Sequence, residues 1–173
     1  TPLPPGTLTV IVPRPPQRFA VVAELLRQRG IPFVRRSSNA PVPADVDIVL
    51  GDSMGEMPGY FAAADIAFVG GSLLPLGGQN LIEPISMGRP TLIGPHMFNF
   101  AEAAAGAIAA GAAIEVADAP ALVGAAAELF EDAPRRAKMR ADALAFHAAH
   151  RGAADTLWTW LSPRIAATLD GRQ

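Results

Sequence analysis

The sequence predicts an α/β fold in which a parallel β-sheet is covered by helices on both faces. Candidate strands and helices alternate along the chain, each candidate strand is almost wholly apolar, and most of the strands end in glycine- or proline-containing turns. A strand with one wet face would alternate apolar and polar residues, so the unbroken apolar runs place both faces against helices.

The elements follow in order. Leu8 to Val12 is a β-branched run that reads as a strand, and Phe19, Val22, Ala23 and Leu26 then share one helical face, with Gly30 closing the helix. Ile31 to Val34 reads as a second strand and Arg35 to Asn39 as loop. Asp47 to Leu50 is a third strand, Tyr60 to Ala64 a short helix and Ile66 to Val69 a fourth strand. Asn80 to Met87 reads as a helix stopped by Gly88, Thr91 to Ile93 as a strand, Ala101 to Ala110 as an alanine-rich helix, and Ala113 to Val116 as the last strand. Asp118 is placed to cap a helix carrying Leu122, Ala126, Leu129 and Phe130 on one face. A further helix follows Pro134, and a terminal one carries Leu157, Trp160 and Leu161. Phe98 and Phe100 are assigned to the core.

A length of 173 residues, half of them hydrophobic, suits one well-buried domain spanning residues 1–173. The 14 Lys and Arg against 16 Asp and Glu give no broad cationic field, so nucleic acid is not an expected partner. The absence of cysteine excludes a disulfide framework, a thiolate zinc site and a cysteine nucleophile, and it fits a reducing compartment. No run reaches the roughly 18 apolar residues of a spanning helix. The first residue is Thr1 rather than methionine, which reads as a piece of a longer chain.

In open α/β sheets ligands bind beyond the carboxyl ends of the strands. Arg14, Asp52 to Glu56, Gly70 to Ser72 and Pro95 to Phe100 each follow a strand and are expected to converge there. Gly70-Gly-Ser-Leu-Leu-Pro-Leu-Gly-Gly-Gln-Asn-Leu-Ile-Glu83 sets two glycine pairs before a helix. These are either tight turns or a place where backbone amides approach a phosphate. Neither a Walker loop nor the G-x-G-x-x-G dinucleotide fingerprint occurs, which counts against a nucleotide hydrolase and a dehydrogenase. Asn80 and Glu83 fall on one helical face. Glu83 is either an acid favoured by the helix dipole or a carboxylate for ribose hydroxyls. His96 and Asn99 supply hydrogen-bonding groups in a loop, and Asp52 is a candidate cap for the next helix. The acidic residues and His147 and His150 make no recognisable ligand set, so no metal is expected. Arg135, Arg136, Lys138 and Arg140 form a basic run on a late helix, read as a solvated face with a peripheral contact to anionic lipid as the alternative.

Gly51-Asp-Ser-Met-Gly-Glu56, Ala64-Asp-Ile-Ala-Phe-Val-Gly-Gly-Ser72, Gly77-Gly-Gln-Asn80, Glu83-x-x-x-x-Gly88-x-Pro90 and Gly94-Pro-His-Met-Phe-Asn-Phe100 occur in the order and spacing of bacterial 3-deoxy-D-manno-octulosonic acid (Kdo) transferases. Val12-Pro-Arg-Pro-Pro-Gln-Arg-Phe19 also resembles a family motif, with Pro15 in place of histidine and Gln17 in place of glutamate. The resemblance runs from about Leu8 to the final helix. It implies a Rossmann-like, C-terminal donor-binding lobe of a GT-B type glycosyltransferase, probing CMP-Kdo as donor and a lipid A precursor as acceptor, without a metal or other cofactor. The acceptor and catalytic base would belong to an N-terminal domain absent from this chain, and the full protein would work at the cytoplasmic face of the inner membrane. The site it implies comprises Arg14, Ser53, Met54, Gly55, Glu56, Gly70, Gly71, Ser72, Gly78, Asn80, Glu83, Pro95, His96 and Asn99, with no catalytic residue in the chain itself. The family's first strand and helix of this lobe are not found before Leu8, so exposed strand edges are expected unless the intact protein or a second chain covers them. The alternatives are a UDP-sugar glycosyltransferase or epimerase lobe, and a non-catalytic nucleotide-sensing module.

Overall fold

A computed structural model describes residues 3–150 and 158–163. Six short strands are ordered in two parallel sheets. Strands β1 (Thr9–Ile11), β2 (Val34–Arg35) and β3 (Ile48–Leu50) pair in the order β1-β3-β2. Strands β4 (Ala67–Phe68), β5 (Thr91–Ile93) and β6 (Ala113–Glu115) pair in the order β4-β5-β6. The parallel pairing is as expected, and it is divided between two sheets; among the described residues β1 and β2 in one sheet, and β4 and β6 in the other, each have an edge without a strand partner. The expected exposed edges include those of β1 and β4, and Val10 on β1 is 43% exposed although it is apolar.

Among the described residues up to His150, six α-helices connect and cover the strands: α1 (Gln17–Gln28), α2 (Met57–Ala63), α3 (Ile82–Ser86), α4 (Ala101–Ala109), α5 (Ala119–Glu131) and α6 (Ala133–His150). The cap expected at Asp118 is present, its carboxylate accepting from the Ala121 amide at 2.8 Å. The second strand lies later than the sequence suggested, at Val34–Arg35, because pairing with Val49 and Leu50 draws Arg35 out of the loop. The terminal helical residues 158–163 include Trp160, which is exposed, while Leu157 lies outside the described residues.

The second sheet is covered on both faces. Successive side chains of a strand point to opposite sides, and β5 divides accordingly. Ile93 joins Leu81, Ile85, Ala107 and Phe146 in one apolar cluster, whereas Leu92 joins Leu129 and Met139 in another. Helices α3 and α4 thus cover one face and α5 the other, with α6 reaching both. Fully burying a side chain such as Leu92 or Ile93 contributes about 1.5–3 kcal/mol, so β5 is the fixed rail from which the following loop departs.

Candidate functional site

The loops that leave β4 and β5 are tied together by one buried hydroxyl. Ser72 is fully buried. Its Oγ donates to the Val69 carbonyl at 2.6 Å and accepts from the Gly94 amide at 2.8 Å, and its own carbonyl accepts from the His96 amide at 2.9 Å. Ser72 was expected among the ligand-binding residues. The structure spends its hydroxyl inside the protein, where it braces the two loops. Gly94 packs so closely on this brace that an added Cβ would overlap the Ser72 carbonyl.

The glycine loop then folds back on itself. The Gly78 amide donates to the Gly71 carbonyl and the Gln79 amide to the Gly70 carbonyl, both at 3.0 Å. The Asn99 amide donates to the Gly77 carbonyl at 3.1 Å, a second stitch between the loops. At Gly77, with φ +90°, any Cβ would overlap the Asn99 side chain. A glycine is therefore required there by both backbone sign and space. These bonds place Gly70, Gly71, Gly78, Pro95, His96 and Asn99 around one rim, with His96 half-buried and Pro95 and Asn99 exposed. Phe98 also stands on this rim, 62% exposed, which corrects its assignment to the core. It belongs to a loop held open by the stitches, while Phe100 packs against the apolar cluster as expected.

Arg14 reaches the same rim from the end of β1. Its Nη1 donates to Gln79 Oε1 at 3.0 Å and its Nη2 lies 3.6 Å from Glu83 Oε1. Asn80 orients that carboxylate: its Nδ2 donates to Glu83 Oε1 at 3.1 Å while its Oδ1 accepts the Ile82 amide at 3.0 Å, closing the start of α3. Glu83 Oε2 accepts no hydrogen bond among the described residues. The guanidinium is half exposed and the carboxylate about one-third exposed, so both remain open to a ligand. This pairing joins the exit of β1 to that of β4 and carries the site across the gap between the sheets.

Ser53 to Glu56 follow β3 but make a cluster of their own. Ser53 Oγ donates to Glu56 Oε2 at 2.5 Å and lies 2.6 Å from the Tyr60 hydroxyl, and Arg36 Nη2 donates to Glu56 Oε1 at 2.9 Å. The Ser53 hydroxyl, and after it the Arg36 charge, hold the Glu56 carboxyl below its ordinary range against a smaller opposing effect of burial. Met54 and Gly55 are exposed. Among the described residues, no hydrogen bond or ion pair joins this cluster to Arg14 or Glu83. Asp52 does not cap α2, as the sequence suggested. It is buried and accepts from the Ser37 hydroxyl and amide at 2.6 and 2.8 Å and from Arg35 Nε at 2.7 Å. Burial alone would raise the Asp52 carboxyl. The Ser37 and Arg35 donors together outweigh it and leave the group below its ordinary value.

Three contributors were missed. Gln79 shares Arg14 with Glu83, Arg36 holds Glu56, and Met97 sets its sulfur against Gly78. Gln79 could have been found from its place inside the Gly77-Gly-Gln-Asn80 motif, and Arg36 from the arginine pair leaving the second strand. Met97 lies inside the Gly94 to Phe100 motif, but its residue type gives no sign of a role there, because a buried methionine is indistinguishable by type from any core residue.

With parallel sheets covered by helices and loops meeting beyond the carboxyl ends of the strands, the chain has the fold of a lobe of a GT-B type glycosyltransferase, as a solved relative shows. The solved C-terminal CMP-Kdo binding domain of WaaA from Acinetobacter baumannii superposes with a TM-score of 0.77 at 32% identity, covering 80% of this chain and 72% of that one. The 3-deoxy-D-manno-octulosonic acid transferase of Bordetella pertussis is 47% identical over 162 residues, 91% of this chain and 38% of that protein. The transferase of the same name from Haemophilus influenzae is 47% identical over 98 residues, 57% of this chain and 23% of that protein. The chain belongs to the 3-deoxy-D-manno-octulosonic acid transferase family. It spans well under half the length of these curated relatives, and no family model matches it.

Proposed function

We propose that this chain is the donor-binding lobe of an enzyme that transfers Kdo from CMP-Kdo to a lipid A precursor. The observation that carries the reading is the meeting of Arg14 and Glu83, held by Gln79 and Asn80, beside the stitched glycine and His96 loops. The likeness to a solved CMP-Kdo binding domain supports the choice of nucleotide.

Each group has work suited to that donor. The Arg14 guanidinium is permanently charged and can donate to two phosphate oxygens at once. The free oxygen of Glu83 can accept from ribose hydroxyls without a metal. As the bond to the sugar breaks, negative charge grows on the CMP phosphate. Arg14 and nearby loop amides then bind the leaving group more strongly than they bind the intact donor, which lowers the barrier. A base that deprotonates the acceptor hydroxyl would come from the remainder of the protein. Among the described residues no helix is long and apolar enough to cross a membrane. The place of that work, the cytoplasmic face of the inner membrane, is part of the same proposal.

Titration of the chain with CMP, UDP and GDP tests the reading. CMP is expected to bind most tightly. Preference for UDP would point to a UDP-sugar transferase or epimerase lobe and overturn the proposal.

A further inference from the structure

A second concave feature lies at the opposite ends of the strands. Asp65 stands just before β4, and Pro90 directly before β5. Together with Arg89, Arg136 and Arg140 they line a cleft of about 210 Å³. Three arginines against one aspartate leave a formal excess of two positive charges in it.

The pairing pattern along α6 separates this cleft from an ordinary charged helix face. Arg135 is paired with Glu128 and Lys138 with Asp142. Arg136 and Arg140 point to the cleft instead, and among the described residues neither has a carboxylate partner; nor does Arg89. Two of the three are nonetheless held in place. Arg89 Nη2 donates to the Ala62 carbonyl at 2.7 Å, and Arg136 Nη1 donates to the carbonyls of Leu129 and Phe130. These bonds fix the guanidiniums without neutralising them. Arg89 Nε is buried with no acceptor among the described residues. A cation left unpaired in partial burial is costly unless something supplies the opposite charge. Among the described residues Asp65, the lone acid of the cleft, forms no ion pair.

We propose that this cleft is a second oxyanion site, distinct from the nucleotide rim, which takes a phosphate monoester group. Such a group carries between one and two negative charges near neutral pH and three acceptor oxygens, matching the excess charge and the guanidinium donors. The volume leaves room for the carbon to which the phosphate is attached. A soluble phosphate and a lipid headgroup share this chemistry.

The test is calorimetric titration of the intact protein with inorganic phosphate at constant ionic strength, with and without saturating CMP, for the parent and for Arg140→Ala and Arg140→Lys. Arg140 is exposed and makes no hydrogen bond among the described residues, so its replacement by alanine removes only the approach of its aliphatic stem to Gly88, which lysine keeps. The expected result is a phosphate site that persists under CMP, weakens at least tenfold in Arg140→Ala, is partly restored by lysine, and leaves CMP affinity unchanged. Arg89→Lys, which keeps the charge but loses the fork, should weaken the same site. A second arm uses sedimentation with vesicles containing phosphatidic acid, a surface monoester, against phosphatidylglycerol vesicles. Selective binding lost in Arg140→Ala identifies a lipid source, and phosphate binding without vesicle binding a soluble one. Phosphate binding that CMP abolishes, or that Arg140→Ala leaves unchanged, overturns the proposal, as does failure of both arms.

Discussion

Replacing Ser72 by alanine separates two roles that the sequence could not distinguish, a ligand contact and an internal brace. The hydroxyl bonds the Val69 carbonyl and the Gly94 amide, and Ser72 is fully buried. Alanine leaves the amide without its acceptor and the carbonyl without one donor in a place water does not reach. Leaving a buried polar group unsatisfied costs about 1–3 kcal/mol, and the carbonyl retains a second lone pair, so the loss should lie near 2–3 kcal/mol rather than double that. Urea unfolding monitored by circular dichroism reads it as a lowered midpoint at constant slope. CMP affinity should fall as well, because the His96 loop is no longer pinned to the glycine loop. The reasoning fails if Ser72→Ala keeps the parental midpoint while CMP binding collapses, for then the hydroxyl faces the ligand after all.

Other substitutions test separate parts of the arrangement. Arg14→Ala and Glu83→Ala should each lower transferase activity of the intact protein at least tenfold, about 1.4 kcal/mol of transition-state stabilisation, measured as initial rates; a merely sensing module would show no loss. Gly94→Ala should destabilise the chain and weaken CMP binding together, since the clash is with backbone, and calorimetry that finds both unchanged would contradict the close approach. Asp52→Asn should cost stability by weakening the Arg35 and Ser37 contacts. Because the folded Asp52 carboxyl sits below its ordinary 3.8, its stabilising contribution is complete above that value and is lost as pH falls through the lowered one. A pH series of unfolding midpoints should therefore show a shallower acid decline in Asp52→Asn than in the parent. At the edge of β1, the Thr9 amide donates to Asp47, so the Val10 amide faces the other way and should exchange with solvent quickly in the isolated chain; strong protection there would mean that a strand or a second copy covers it.

The readability of this fold follows from where its information is local. Thr91 to Ile93 is legible because all three residues are buried, and a short, mostly apolar and β-branched run is what a sheet covered on both faces demands. The cap at Asp118 is legible because its partner is three residues away. The second strand was misplaced because Arg35 enters it through pairing with Leu50 and an ion pair with Asp52, contacts distant in sequence. The cap expected at Asp52 fails for the same reason: an acid before a helix suggests a cap, and nothing nearby reveals that Arg35 arrives from β2 and Ser37 from the turn after it. Motif resemblance found most of the rim, yet it could not tell Ser72, turned inward, from His96, which stays half open. The division of labour within a motif is a matter of orientation, and orientation is set by the tertiary bonds.

The split sheet sharpens what the Arg14 contact achieves. With β1 and β4 unpaired on their outer edges, no ladder of backbone bonds fixes one three-stranded unit against the other along that line. Across the same line the side chain of Arg14 meets Gln79 and Glu83, and Arg89 bonds the Ala62 carbonyl. An exposed ion pair contributes little to stability, typically below about 1 kcal/mol, so Arg14 is a weak rivet and a good sensor. A nucleotide phosphate bound to its guanidinium and a ribose bound to Glu83 would add contacts to both units at once. Donor binding should then stiffen the chain as a whole rather than only the loops it touches. Hydrogen exchange with and without CMP would show this as slower exchange in β1 as well as at Gly78 and Gln79, and protection confined to the glycine loop would leave the two units mechanically independent.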